Sequence, residues 1–275
     1  MYTNLKPIPG TYTARFTIMA ENLKEPLQNE LRELPINDST MKEFISAWEK
    51  LDDYPLHEKV LQELFTKHPN NTNEEEVLLK CTVLNAFYST FVRTSDLIPL
   101  AKAIVKLEID DRLRDGDLTV VSEIATCLKD KKYLSFASKY CSWHNQQAFP
   151  IYDKYVVELL CTFKGDPLMS FKTCKEIREE PDISKRYLSF CNALNGIVKK
   201  FELRLARIAE DKIDYKQLDR FLWLLGKMIF GKEVSAGDIF DAVLETVVEE
   251  AVKDIIRKIR KLKEANKKVK EHKTK

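Results

Sequence analysis

Apolar positions recur at helical spacing along most of this chain. In residues 215–230, Leu218, Phe221, Leu222 and Leu225 fall at i, i+3, i+4 and i+7, with Asp214 and Gln217 at capping positions. From Asp238 the pairs Ile239/Phe240, Val243/Leu244, Val247/Val248, Ala251/Val252 and Ile255/Ile256 repeat every four residues. That pattern predicts one long amphipathic helix whose stripe must bury against something. Residues 40–66 read as two helices joined near Asp53-Tyr54-Pro55, because proline disfavours helix in the residue before it. Asn73 and Glu76 form an N-cap and its box-like partner. The helix that follows is apolar on nearly every side between Val77 and Phe87, which predicts a place at the centre of a domain. Lys80 interrupts it and is expected to snorkel or to pair structurally. Further helices are predicted over 97–107, with Pro99 tolerated in the first turn, from Asp117 to about Leu128, and over 168–179 and 184–208.

One early stretch, TYTARFTI (11–18), alternates like a short strand or extended arm. Seven glycines in 275 residues argue against a sheet-rich fold with many tight turns. The expected class is therefore all-α. The expected organisation is an N-terminal arm (1–38), a helical domain (39–232), and an amphipathic helix with a basic tail (233–275).

Composition changes this picture in three places. No run approaches the roughly 18 uncharged residues of a membrane span, and MYTNLKPIPGTYTARF lacks the apolar core of a signal peptide. A cytoplasmic protein with no membrane partner is expected. The six cysteines show no CxxC and no metal-ligand spacing with the four histidines. They read as buried free thiols, with no metal and no other cofactor expected. Charge is uneven: from Lys253 to Lys275 eleven Lys or Arg stand against three acids, although the whole chain carries only +2. Such a tail suits nucleic-acid contact or serves as a solubilising end. The helix over 238–262 is a candidate for self-association.

The richest chemistry lies in KYLSFASKYCSWHNQQAFPIYDKYVVELL (132–160). Residues 133–143 have helical spacing, the chain leaves the helix at His144-Asn145, and Pro150-Ile151-Tyr152 is extended before Asp153 opens a new helix. A carboxylate there meets free backbone N–H groups and the positive end of the dipole. Asp153 is thus either an N-cap alone or a functional acid. Tyr140, Trp143, His144, Phe149 and Tyr152 offer aromatic surface, although Tyr140 and Phe149 also fit a core, as does Trp223 further on.

Ala137, eleven intervening residues and FPIYD before an apolar helix resemble the end of the helix-hairpin-helix motif of DNA base-excision glycosylases, the 8-oxoguanine glycosylase-like superfamily. VLLKCTVLNAFYST (77–90), IDDRLRDGDLTVVSEIA (109–125) and YKQLDRFLWLLGK (215–227) are similar to a related, widespread bacterial family. The resemblance spans roughly 40–230. It implies an all-α glycosylase-type fold, a nucleic-acid partner (DNA before RNA) and hydrolysis of an N-glycosidic bond. It implies that Asp153 is catalytic, with Lys139 beside it, and that Trp143, His144 and Tyr152 surround a flipped base. Lys129, Lys131, Lys132 and Ser135 would contact the DNA backbone. Two departures matter. Ser135 stands where bifunctional members carry a Schiff-base lysine, implying a monofunctional enzyme. The hairpin CLKDKKYL has no glycine, although backbone amides there normally approach a phosphate. The other reading is a non-catalytic helical module with a degenerate hairpin, binding nucleic acid or protein.

Overall fold

The computed structural model describes Glu30, Glu33 and residues 36–51, 53–163, 170–209, 212–230 and 250–273. The chain divides into two units, one formed by residues 36–248 and one by 1–35 with 249–275. The first holds α1 (Asp38–Glu49), α2 (Asp53–Lys67), α3 (Glu74–Tyr88), α4 (Thr94–Lys106), α5 (Asp110–Asp115), α6 (Thr119–Thr126) and α7 (Leu134–His144). It continues with α8 (Lys154–Leu160), α9 (Phe171–Glu179), α10 (Ile183–Lys200), β1 (Arg207–Ala209), β2 (Lys212–Ile213) and α11 (Tyr215–Phe230). Helix dominates, as the apolar spacing predicts, and the two short strands form one antiparallel pair.

Caps set several boundaries. The Asn37 side chain accepts from Thr40 N at 3.0 Å, Asn73 from Glu76 N at 3.0 Å, and Asp117 from Thr119 N at 3.0 Å. Each satisfies an N–H that the first helical turn leaves unpaired. The helix expected over 184–208 stops at Lys200 instead. Glu202 takes a φ of 50°, and Leu203 N closes back on Val198 O at 3.1 Å. This is a left-handed stop made without glycine, so composition did not advertise it.

The central helix is α7 rather than the expected α3. On α3, Leu79 is 46% exposed and Thr82 and Ala86 face outward. On α7, Leu134 and every residue from Phe136 to Trp143 are buried. Trp143 Nε1 is buried without a hydrogen-bond partner, but Ser138 Oγ donates to Ser135 O at 3.1 Å and accepts from Tyr152 N at 2.9 Å. Buried polar groups are tolerated when so paired, which is why this helix does not read as the most apolar one. Tyr140 and Phe149 are core residues. Lys80 is fully buried and pairs structurally, donating to His68 O, Asn70 O and Asn71 Oδ1 at 2.8–3.0 Å.

Around α7, α3 packs on α4, α6 on α7 and α10, and α8 on α11. Gly226 permits the last contact, since a Cβ there would lie 2.7 Å from Tyr155 O. Cys161, in a 3₁₀ turn after α8, is joined to Cys174 on α9 by a disulfide. The expectation of free thiols therefore fails for this pair and holds for Cys81, Cys127, Cys141 and Cys191. Two cysteines thirteen residues apart carry no sequence mark of pairing; the packing of α9 beside α8 brings them together.

In the other unit, α12 (Glu250–Lys273) keeps Val252, Ile256 and Ile259 buried on one stripe. Arg257 pairs with Glu250 at 2.6 Å and Asp254 at 3.0 Å. The expected strand at 11–18 and the expected helix start at Asp238 lie outside the described residues. Among the described residues, no helix is long and apolar enough to cross a membrane.

Candidate functional site

The turn Pro150–Asp153 is held from several sides. Tyr187 donates its hydroxyl to Pro150 O at 2.8 Å, Tyr152 N donates to Ser138 Oγ, and Tyr152 donates its hydroxyl to Ile177 O at 2.6 Å. Asp153 caps α8, its Oδ1 accepting from Tyr155 N at 2.9 Å. Its second oxygen is free of the cap and meets Lys139 Nζ at 3.3 Å. Lys139 also donates to Ser135 Oγ at 2.8 Å, so one ammonium ties one turn of α7 to the start of α8. The Lys139 and Asp153 side chains are only 3% and 16% exposed.

This pair borders a cavity of about 930 Å³, also lined by Ser135, Tyr152, Lys154 and Glu158. Its walls are aromatic. Trp48, Tyr54 and Trp223 meet with ring centroids 5.2–5.4 Å apart, and His57 stacks on Phe87 at 4.2 Å. Lys227 lies 4.8 Å from the Trp223 ring centroid and donates to the Tyr54 hydroxyl at 2.7 Å. Phe91, also on the lining, is 87% exposed and held at φ 59°. Asn85 fastens that loop, accepting from Val92 N at 3.0 Å and donating to Val92 O at 3.0 Å. A bulky residue in the left-handed region is an outlier that neighbouring structure must enforce.

A charged network reaches the same cavity lining through Glu58 and Tyr88. Glu58 pairs with Lys216 and Arg220, each at 2.6 Å, and Lys216 also donates to the Tyr88 hydroxyl at 3.0 Å. Burial alone would raise the Glu58 carboxyl, but the two cations bring it below its usual range. Burial likewise works against the Lys216 ammonium, yet Tyr88 and Glu58 hold it above the normal lysine range. Asp219 differs: burial pushes its carboxyl up to about 7 despite Lys216 and Lys139 nearby.

Of the residues singled out in the sequence, Asp153, Lys139, Tyr152 and Ser135 come together on this cavity. Ser135, expected on a nucleic-acid backbone, accepts from Lys139 Nζ. Trp143 and His144, expected around a base, lie outside the cavity lining. Trp143 is buried, with Lys216 Nζ 4.7 Å from its ring centroid. His144 packs against Phe65 and Tyr140, and burial, then Lys80, pulls its imidazole down to about 3. Both point away because the α7 face carrying the aromatic run packs inward. Trp48, Tyr54 and Trp223 supply the aromatic wall in their place, and Trp223 is therefore not simply core. Helical spacing gave Trp223 the look of a core residue, and nothing in the sequence singled out Trp48 or Tyr54; an acid, Asp219, one turn before Trp223 was the available signal. At the α6–α7 turn Lys129 is exposed, Lys131 is half-buried, and Lys132 donates to Pro181 O at 3.1 Å.

Three comparisons place the chain among known proteins. The family HI_0787_N, described as an N-terminal domain, matches residues 40–148, from α1 through α7 and up to the residues just before the Pro150–Asp153 turn. An uncharacterized protein of Haemophilus influenzae is 36% identical over 168 residues, covering 59% of this chain and 72% of that protein. No solved structure matches. With that identity over nearly three quarters of the relative, the chain belongs to the same family as that protein.

Proposed function

We propose that this protein has a helix-hairpin-helix glycosylase type of fold, binds DNA, and hydrolyses the N-glycosidic bond of a damaged base in the aromatic cavity. The observation that carries this reading is the Lys139–Asp153 pair on the wall of a cavity lined by Trp48, Tyr54 and Trp223. A base extruded from a duplex needs a stacking pocket, and cleavage at its anomeric carbon builds positive charge on the sugar. Asp153 stabilises that charge and takes the proton of an attacking water. Lys139 orients the carboxylate while the helix cap fixes its other oxygen. Lys129 and Lys131 contact the phosphate backbone by charge.

One observation favours the non-catalytic alternative. Asp130 occupies the left-handed position of the α6–α7 turn at φ 60°, putting an acid rather than a glycine where a phosphate would approach. A module that binds through other surfaces accommodates this.

Base release from a panel of damaged and mismatched duplex oligonucleotides, compared between the wild type and Asp153→Asn, tests the proposal. Release that disappears in the variant supports it. Salt-sensitive binding without release leaves the alternative. Neither release nor binding removes the nucleic-acid reading altogether.

A further inference from the structure

Asp219 sits on α11 one turn before Trp223 and lines the same cavity as Lys139 and Asp153. Its Oδ1 is buried with no hydrogen-bond partner. The neighbouring cations are committed elsewhere: Lys216 to Glu58 and Tyr88, Lys139 to Asp153 and Ser135. On its other side Asp219 borders a void of only about 10 Å³ shared with Pro150, Ile151 and Leu222. That space holds at most a single water. A buried acceptor without a donor destabilises the fold, and such groups are rare in folded proteins unless something fills them. Asp219 and the rings of Trp223, Trp48 and Tyr54 belong to one cavity lining, so a ligand there meets both the carboxylate and aromatic surface.

Resting on the reading that the cavity holds a base, we infer that Asp219 determines its specificity. It accepts an N–H from the edge of a planar nitrogen heterocycle that stacks on the aromatic wall. The selected class is heterocycles that present a ring N–H or amino donor at that edge; those methylated there are rejected. Five groups face the carboxyl: Lys139 on α7, Asp153 before α8, Glu58 on α2, Lys216 on α11 itself and the Tyr88 hydroxyl on α3, which is un-ionised in this pH range. The two cations favour its charged form and the two acids oppose it, while burial holds the balance near neutrality, at about 7. Acceptance of an N–H therefore strengthens as pH rises from 6 to 8 and the carboxyl loses its proton.

Trp48 and Trp223 give a direct readout through quenching of intrinsic fluorescence. Two matched pairs of probes are titrated into the full chain: uracil against 1,3-dimethyluracil, and theophylline against caffeine. At pH 8 the N–H member of at least one pair is expected to bind about tenfold or more tighter than its methylated partner, the scale of a charge-assisted bond. In Asp219→Leu that difference disappears. Asp219→Asn, which keeps the shape and a weaker acceptor, retains part of it but loses the rise between pH 6 and 8. Circular dichroism melting establishes that each variant is folded. Equal binding of both members of each pair overturns the inference, as does a preference unchanged in Asp219→Leu, or no quenching by any of the four. The wider proposal fails by a different sign: heterocycle selectivity that depends on Asp219 with no base released from any duplex.

Discussion

Lys139 Nζ lies 3.3 Å from Asp153 Oδ2, joining residues fourteen positions apart across the mouth of α8. Both side chains are largely out of water, and each has a second tether, Ser135 for the lysine and the Tyr155 amide for the aspartate. A pair so placed constrains the geometry of the turn and leaves the cavity wall charged on both sides.

Breaking the pair from either end has unequal costs. Lys139→Ala strands Asp153 and is expected to cost about 3 kcal/mol, the lower range for removing one partner of a buried pair. Asp153→Asn keeps an N-cap acceptor but leaves the Lys139 ammonium buried without its counter-charge and costs about 4 kcal/mol, whereas Asp153→Ala loses the cap as well and costs more. Urea denaturation of the three variants checks this order. On the proposed function, borohydride treatment with an abasic duplex is expected to leave no covalent adduct, because Lys139 there orients the acid and is not the nucleophile.

Phe91 separates stability from function. Its φ of 59° is unfavourable for a bulky side chain, so Phe91→Gly raises stability by about 1 kcal/mol. The same change removes an exposed ring from the cavity mouth and, on the proposed function, is expected to weaken duplex binding at least severalfold, because apolar side chains inserted at base steps hold an opened stack. Thermal melting and fluorescence anisotropy on one preparation measure both. A Phe91→Gly protein that binds duplex as tightly as wild type rejects this role.

His144 makes the fold acid-labile. Burial lowers its imidazole to about 3 from an ordinary 6.5. Between those values the unfolded chain binds a proton that the native state refuses, so stability falls as pH drops from 6.5 towards 3 and is unaffected above 6.5. The slope from this one group approaches about 1.4 kcal/mol per pH unit within the window. His144→Phe keeps ring packing against Phe65 and Tyr140 and should flatten the profile there, as read by urea denaturation across pH.

The Cys161–Cys174 bond closes a loop of thirteen residues, for which chain entropy suggests about 3 kcal/mol of stabilisation. It also secures α9, whose Ile177 carbonyl receives Tyr152 and whose Arg178 pairs with Glu158 on the cavity wall at 2.6 Å. Cys174→Ser is expected to lower the melting temperature and speed hydrogen exchange in α9, both reproduced by reducing the wild type.

The helices were legible in the sequence because their causes are local. Apolar spacing marked α11, Asn73 and Asp117 capped where expected, and Pro150-Ile151-Tyr152 stood extended before an Asp153 cap. Lys139 was singled out beside Asp153 in the sequence, but their 3.3 Å separation depends on how the segment between α7 and α8 brings the two helices together. What the tertiary structure decided is which face each helix turns inward. Trp143 and Trp223 carry the same ring at helical spacing, yet the packing of α7 buries one and that of α1, α2 and α11 leaves the other on a cavity wall. Glu202 ends α10 through a backbone conformation that only the returning hairpin requires, and Cys161 meets Cys174 only because α9 docks on α8. Burial, pairing and pocket formation are sums over contacts between segments distant in sequence, so periodicity selects the elements and packing assigns their faces.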